Sequence, residues 1–310
     1  MNEKSPAIRW GVEQRLEFIE FRLFWEGGIN RGDIIEMFGV SVPQASRDLA
    51  MYQDTAPGNV DYDKSAKRYV PSHTFRTRFL RPDPSVYLSR LRVLGEGLSR
   101  PEDSWVAHVP EIDVAVTPHR IIDTEILRSV LTAMRERRSL DVCYQSMNTK
   151  RPDPVWRRIT PHAFGYDGFR WHTRAFCHLE NRFKDFLLPR ILEAGSFGDP
   201  VALGDKDTLW QEYVGIEIAP HPQLTDSQKK VVAKDYGMSD GSMVLRVRNA
   251  MLFYVLKRLG LLGDAEKEDA RRQHIVVVNK TDVQSALARS EIIEFNTEAD
   301  LLEGRNLGEP

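Results

Sequence analysis

The chain has 310 residues, 41% hydrophobic and 28% charged, with a formal net charge of −2. That length predicts about two or three domains, and the composition is that of a globular protein without low-complexity tracts. Cys143 and Cys177 are the only cysteines, which excludes a disulfide framework and disfavours a zinc site.

The low cysteine content makes a reducing cytoplasm the expected compartment, and the apolar residues predict no membrane segment. No apolar run approaches the ~18–20 residues that span a bilayer, and residues 1–9 lack the apolar core of a signal peptide. Basic residues outnumber acidic ones between 120 and 205, and acidic residues predominate from 206 to 310. Residues 1–80 are close to neutral, so DNA contact there requires local placement of basic side chains.

Residues 1–80 predict a winged helix-turn-helix. Helices are expected over 10–30 and 31–38, and a third from Ser41 to about Tyr52. Ser41 and Gln44 have the spacing of a capping box, and Gly39 is expected to end the second helix. A hairpin over 60–70 with a polar tip forms the wing.

The third helix is the expected recognition helix. With Ala45, Leu49 and Tyr52 buried, its N-terminal polar side chains face outward, where Arg pairs with guanine and Gln with adenine. Basic residues of the hairpin are expected on phosphates or in a minor groove. The alternative is a trihelical packing module without DNA. The predicted DNA-binding residues are Ser41, Gln44, Ser46, Arg47, Lys64, Lys67 and Arg68.

Residues 81–119 are interpreted as a helical connector. One helical pattern has Val86, Leu91, Leu94 and Leu98 as its apolar positions. A stretch with several prolines follows it. Another helix follows Asp123. Its expected inward residues are Ile126, Leu127, Val130, Leu131 and Met134.

Residues 120–205 predict a strand-rich domain with many Arg, His and aromatic side chains. Strands are expected over 140–146, 156–166, 169–177 and 185–191, with a turn at Asp167-Gly168. Alternation places Arg170, His172 and Arg174 on one face, opposite Trp171, Thr173 and Ala175. Such a cationic row is costly unless an anion or acids offset it. One alternative is that an anionic ligand with a flat ring binds there. The other is a solvated face with surface ion pairs, for which Asp167, Asp185 and Glu193 are available as partners.

Residues 206–310 predict a small α+β domain. Strands are expected over 215–219, 243–247 and 274–278, alternating with helices over 225–236 and 250–261. Thr225 and Gln228 have the spacing of a capping box, and Gly237 is the expected stop.

Two stretches resemble a known family. Residues 39–49 are similar to the recognition region of winged bacterial repressors, and residues 140–191 resemble a WYL domain. Of the Trp-Tyr-Leu that names that domain, only Trp171 is kept, since His172 and Thr173 follow it. The module order over nearly all of the chain resembles WYL-domain bacterial transcription factors of the CapW/BrxR type.

The resemblance implies a multidomain α+β protein: a winged helix-turn-helix (1–80), the connector (81–119), a WYL domain (120–205) with an Sm/SH3-like β-barrel, and a dimerising extension (206–310). It implies a homodimeric repressor that binds an inverted repeat in the double-stranded promoter DNA of a phage-defence operon. The WYL domain would sense a nucleotide or nucleic-acid ligand, and no cofactor is implied. The pocket positions carried over are Tyr144, Ser146, Arg157, His172, Arg174, Arg182 and Arg190.

Two functions other than repression are open to a chain of this composition. An enzyme would need a nucleophile, and Ser146, His162 and Asp185 form a conceivable triad, but no Gly-x-Ser-x-Gly elbow or Gly-rich phosphate loop accompanies them. The second alternative is a nucleic-acid-binding accessory protein without a transcriptional role.

Overall fold

A computed structural model describes residues 10–115, 117–118, 120–147 and 152–294, with the backbone alone for 291–294. Contacts divide the chain into two compact units, Met1–Thr117 and Pro118–Pro310. Residues 1–9, for which no signal peptide was expected, lie outside the described residues. So does the end of the predicted domain 206–310. Within the described part, no helix is both long and apolar enough to cross a membrane.

The first unit is a winged helix-turn-helix, as predicted. Its helices α1, α2 and α3 enclose an apolar core that includes Leu16, Ile34, Ala45, Leu49 and Tyr52. The hairpin pairs Val60 with Pro71 and Asp63 with Arg68. The elements are α1 (Trp10–Glu26), α2 (Arg31–Phe38), α3 (Val42–Thr55), β1 (Val60–Asp63), β2 (Arg68–Pro71) and α4 (Pro84–Gly95).

The turn between α2 and α3 follows the predicted signals with one difference. Gly39 has a left-handed backbone (φ 62°), and its N–H donates to the carbonyl of Ile35. Ser41 caps α3 by accepting from the Gln44 amide. The reciprocal half of the predicted capping box is wrong, because the Gln44 side-chain oxygen accepts from Arg47 Nη2 (3.0 Å) rather than from the Ser41 N–H.

Replacing Gly39 with Ala is expected to destabilise α2 and α3 by about 1–2 kcal/mol, the cost of a left-handed conformation for a residue with a Cβ. Apart from its chain neighbours, no heavy atom of the described residues lies within 4 Å of that Cβ, so the effect is conformational rather than steric. Amide hydrogen exchange of α2 and α3 measures it. Gly39→Asn is the control, since Asn tolerates this conformation and should lose less; equal stability of all three proteins would contradict the assignment.

A buried carboxylate ties the chain beyond the hairpin to the helices. Glu20 on α1 has no exposed surface, and it accepts from the amides of Arg78, Phe79 and Leu80 and from the Tyr52 hydroxyl. These bonds supply the partners that a buried charge requires. The segment that leaves the hairpin is therefore fixed against α1 and α3.

Helix α4 packs against α1 within the first unit. Leu91 and Tyr87 contact the cluster around Phe21. Of the four apolar positions in the predicted helical pattern, Val86 and Leu98 are exposed. Tyr87, one turn before Leu91, takes the inward position, and Leu98 lies beyond the end of the helix.

The second unit begins with one helix packed on a five-stranded antiparallel sheet. The elements are α5 (Thr124–Glu136), β3 (Ser139–Tyr144), β4 (Val155–Tyr166), β5 (Trp171–Cys177), β6 (Arg182–Leu187) and β7 (Ile191–Gly198). The sheet order is β6-β5-β4-β3-β7, and the described residues record no pairing between the edge strands β6 and β7. The predicted strand 185–191 is wrong, because a short 3-10 helix at 188–190 divides it, and β7 was missed.

Helix α5 covers the face of this sheet that carries Val142, Ile159 and Ala175. Asp123 caps the helix as predicted, accepting from the amides of Glu125 and Ile126. Leu131 is exposed, contrary to prediction, and Ala133 is buried in its place.

The rest of the second unit is the predicted small α+β arrangement. The elements are α6 (Thr208–Gln211), β8 (Tyr213–Pro220), α7 (Asp226–Asp235), β9 (Met243–Arg248), α8 (Leu252–Arg258), β10 (Ile275–Val277) and α9 (Lys280–Glu294). The antiparallel sheet has the order β10-β8-β9, and the Thr225–Gln228 capping box forms in full. Helix α9 was not predicted.

Candidate nucleic-acid interface and anion site

The outward face of α3 carries the predicted recognition side chains. Arg47 and Ser41 are exposed, and Gln44 and Ser46 are half-buried. The guanidinium of Arg31, at the start of α2, donates to the Ser46 hydroxyl (3.3 Å). Arg31 is exposed and adds a cation to this surface, although no signal in the sequence pointed to it.

The hairpin presents two of its three predicted cations to solvent. Lys64 and Lys67 are exposed at its tip. Arg68 instead folds back, and its Nη2 donates to the carbonyl of Glu26 at the end of α1 (3.2 Å). A Cβ on Gly28 would lie 2.3 Å from Arg68 Nε, so only glycine permits this close approach. Arg68 thus holds the hairpin to α1, and its contact with DNA stays a prediction.

The five-stranded sheet separates the predicted pocket residues onto two faces. On β6, consecutive residues Asp185 and Phe186 point to opposite faces. Arg174 pairs with Asp185, whereas Arg157 lies near the Phe186 ring. The structure therefore brings Arg157 and its neighbours together on one face, and His172 and Arg174 on the other.

The first group is a cationic cluster around Glu180. The Glu180 carboxylate accepts from Arg157 Nη1 (3.3 Å), Arg182 Nη2 (2.8 Å) and Lys184 Nζ (2.7 Å). The Arg157 guanidinium carbon is also 5.5 Å from the centre of the Tyr144 ring. Arg157 is buried, and among the residues that the structure describes its Nε has no hydrogen-bond partner. Glu180 and Lys184 were missed, because only the fold places them beside Arg157.

Charge in this cluster shifts two pKa values. Burial alone raises the pKa of Glu180, but hydrogen bonds from Lys184 and Arg182 outweigh it and lower the pKa to about 2. Burial lowers the pKa of Lys184, against the effect of Glu180. A carboxylate so strongly held stays ionised at neutral pH, so the protein supplies its own anion here.

The second group joins the sheet to the following α+β part. The wholly buried Arg174 donates through Nε (2.8 Å) and Nη2 (3.2 Å) to both oxygens of Asp207, which caps α6. His162 also contacts Asp207 (3.0 Å). Burial alone raises the pKa of Asp207, but hydrogen bonds from His162 and Arg174 hold it below its usual range.

The predicted row of Arg170, His172 and Arg174 is therefore offset by acids of the protein itself. Asp167 accepts from Arg170 (2.8 Å) and lies 3.2 Å from His172 Nε2. The His172 ring also lies 4.7 Å from that of Tyr254 on α8. The ligand roles of His172 and Arg174 stay predictions, and both side chains here pack within the unit.

The remaining predicted pocket residues lie near the ends of strands. The Tyr144 hydroxyl accepts from the Leu187 amide (3.2 Å), and Ser146 is buried. Arg190 is half-buried, and its carbonyl accepts from the Gln145 amide.

The conceivable Ser146–His162–Asp185 triad finds no support in these contacts. His162 pairs with Asp207, and Asp185 pairs with Arg174 and with the Tyr254 hydroxyl (3.0 Å). A base needs its orienting acid within hydrogen-bond reach, and here the two bind other partners.

Family models match three parts of the chain in order. Residues 11–93 match the BrxR transcriptional regulator winged helix-turn-helix domain. Residues 125–195 match the WYL domain. Residues 213–283 match the BrxR transcriptional regulator C-terminal dimerization domain.

Curated relatives are similar over almost the full chain. The DNA-binding transcriptional repressor CapW of Stenotrophomonas maltophilia is 41% identical over 283 residues, covering 90% of this chain and 93% of the relative. CapW of Escherichia coli is 36% identical over 284 residues, covering 91% and 93%. A solved structure of the proteasome accessory factor PafBC of Arthrobacter aurescens overlaps 90% of this chain and 46% of its own, with 15% identity and a TM-score of 0.28.

Proposed function

The chain belongs to the CapW family of transcriptional repressors, and we propose that it is a homodimeric repressor that binds an inverted repeat in promoter DNA. The observation that carries the proposal is a matched winged helix whose third helix presents an exposed Arg47. The matched dimerization domain supports the pairing of two copies. Two recognition helices would then meet half-sites about 34 Å apart, or a multiple of that distance.

The DNA contacts fall into base and phosphate contacts. Arg47 reads a base edge, while Arg31, Lys64 and Lys67 lie where exposed cations neutralise phosphates. Arg68 supports the hairpin. The complete proposed interface comprises Ser41, Gln44, Ser46, Arg47, Lys64, Lys67 and Arg68, with Arg31 added.

The WYL domain is proposed to sense an anionic ligand with a flat ring, a nucleotide or a nucleic-acid fragment. Arg157, Arg182 and Lys184 supply cations, and Tyr144 supplies an aromatic face. Ligand binding must differ in free energy between the DNA-bound and free arrangements to change repression. The operon serves antiviral defence, the cell compartment is the cytoplasm, and the protein has no catalytic role in this proposal.

A footprint upstream of the protein's own gene tests the repressor. We expect protection of an inverted repeat, with a bound stoichiometry of two chains per site. Release of that complex by short oligonucleotides or cyclic nucleotides tests the sensor. Protection without any symmetric repeat would favour an accessory nucleic-acid-binding protein.

Replacing Glu180 with Gln is expected to tighten binding of a short single-stranded oligonucleotide by about fivefold, because a unit charge about 4 Å away in water-like surroundings contributes about 1 kcal/mol. The variant removes the carboxylate that competes for Arg157 and Lys184. Fluorescence anisotropy of the labelled oligonucleotide measures the affinity. Glu193→Gln on β7 is the matched control, since Glu193 is exposed. Equal affinity of both variants would place the ligand elsewhere.

A further inference from the structure

A chain of hydrogen bonds runs inward from the exposed end of the recognition helix. Arg47 Nη2 donates to Gln44 Oε1 (3.0 Å), and Gln44 Nε2 donates to Asp48 Oδ1 (2.9 Å). The Asp48 carboxylate also accepts from Arg15 on α1, through Nε (2.6 Å) and Nη2 (3.2 Å). The chain thus connects a base-reading side chain to the packed interior of the first unit.

The polarity of this chain is fixed by its two ends. A guanidinium only donates and a carboxylate only accepts, so the Gln44 amide has a single orientation that satisfies both neighbours. The opposite orientation would turn its NH2 toward Arg47 and its oxygen toward Asp48. Asp48 has no exposed surface, and only 13% of the Arg15 side chain is exposed, so water does not compete at the inner end.

We propose that Gln44 and Asp48 are positioning residues that hold the Arg47 guanidinium for recognition of a guanine. Reading guanine requires two donors aimed in one plane at O6 and N7. Arg47 commits one donor to Gln44 and keeps four of its five for DNA. A side chain held before binding loses less conformational entropy on binding.

This assignment rests on the proposed DNA-binding function and changes the part played by Gln44. Its amide oxygen and its NH2 group each already bind one partner, so turning the amide toward an adenine would break these two hydrogen bonds. Base preference on this helix is therefore assigned to Arg47, with Gln44 and Asp48 acting through it.

The variants separate positioning from folding. Asp48→Asn keeps the shape but can donate as well as accept, which releases the amide from its one orientation. Gln44→Ala removes the link and leaves the Arg15–Asp48 ion pair in place. Asp54→Asn is the matched control, because it makes the same change on the exposed side of the same helix.

Selection of bound sequences from a pool of random duplexes defines the operator for the full-length protein. The position at which Arg47→Ala loses its preference is then changed from G·C to A·T, and the ratio of the two dissociation constants is measured. The wild-type protein should discriminate by roughly 5- to 150-fold. This ratio is insensitive to the folded fraction, since both DNAs are bound by the same protein.

We expect Asp48→Asn and Gln44→Ala each to reduce this ratio by about fivefold, which corresponds to the loss of one hydrogen bond. Asp54→Asn should leave the ratio unchanged. In an Arg47→Ala background, neither Asp48→Asn nor Gln44→Ala should reduce the ratio further. An unchanged ratio in Gln44→Ala, or an added loss in the Arg47→Ala background, would overturn the positioning role. If the wild-type protein enriches no sequence, the repressor proposal itself fails; if it enriches an operator on which Arg47→Ala has no effect, only the positioning role fails.

Discussion

Arg174→Ala is expected to lower the free energy of unfolding of the second unit by about 3–5 kcal/mol, the cost of leaving one member of a buried ion pair without the other. The guanidinium has no exposed surface and binds both oxygens of Asp207. Without it, the buried Asp207 carboxylate would keep His162 and the Trp210 amide as partners. The loss would also loosen the attachment of α6 to the five-stranded sheet.

Amide hydrogen exchange of β4 and β5 measures this loss in the full chain. Arg158→Ala is the matched control, because Arg158 pairs with Asp141 on the same sheet but its side chain is 36% exposed. An exposed pair contributes about 0–1 kcal/mol. If Arg174→Ala is as stable as Arg158→Ala and loses only its response to oligonucleotides, Arg174 is a ligand contact as the sequence suggested.

The effect of Arg174→Ala should also depend on pH. Hydrogen bonds from His162 and Arg174 keep the pKa of Asp207 below its usual value in the folded state. A group with a lowered folded pKa adds stability above its unfolded pKa, about 4, and this contribution is lost as the pH falls through the folded value. The difference in free energy of unfolding between the wild-type protein and Arg174→Ala should be constant near neutral pH and shrink below about pH 4.

Local patterns in the sequence predicted the winged helix well. Gly39 and Ser41 mark the turn, and Ala45, Leu49 and Tyr52 mark the buried face, because each of these signals acts over a few residues. The capping box was half wrong because a second donor, Arg47, lies three residues after Gln44 and binds the side-chain oxygen that the Ser41 N–H would have used. The spacing of the residues does not show which of these two donors the Gln44 oxygen binds.

The pocket was harder to predict because it depends on contacts between distant residues. Alternation correctly placed Arg174 on the face opposite Ala175. It gave no indication that Asp207, 33 residues later, would bind that guanidinium. Alternation also could not show that Glu180 would form ion pairs with Arg157, Arg182 and Lys184, because the strand register decides which side chains are in contact.

Arg47→Ala is expected to weaken binding to the selected operator by about 1–3 kcal/mol and to relax the preference at one base pair. The exposed guanidinium on α3 supplies donors in the plane that guanine requires. Competition gel shifts against operators changed at single positions measure both effects.

Arg47→Lys and Lys64→Ala distinguish base reading from charge. Lysine keeps the positive charge but not the planar pair of donors, so Arg47→Lys should retain the salt dependence of binding and still lose the base preference. Lys64 is exposed at the hairpin tip, and its loss should weaken binding to all sequences alike and reduce the slope of log affinity against log salt by about 1. If Arg47→Ala also lowers affinity equally for every sequence, Arg47 contacts phosphate, and base recognition must come from another residue of α3.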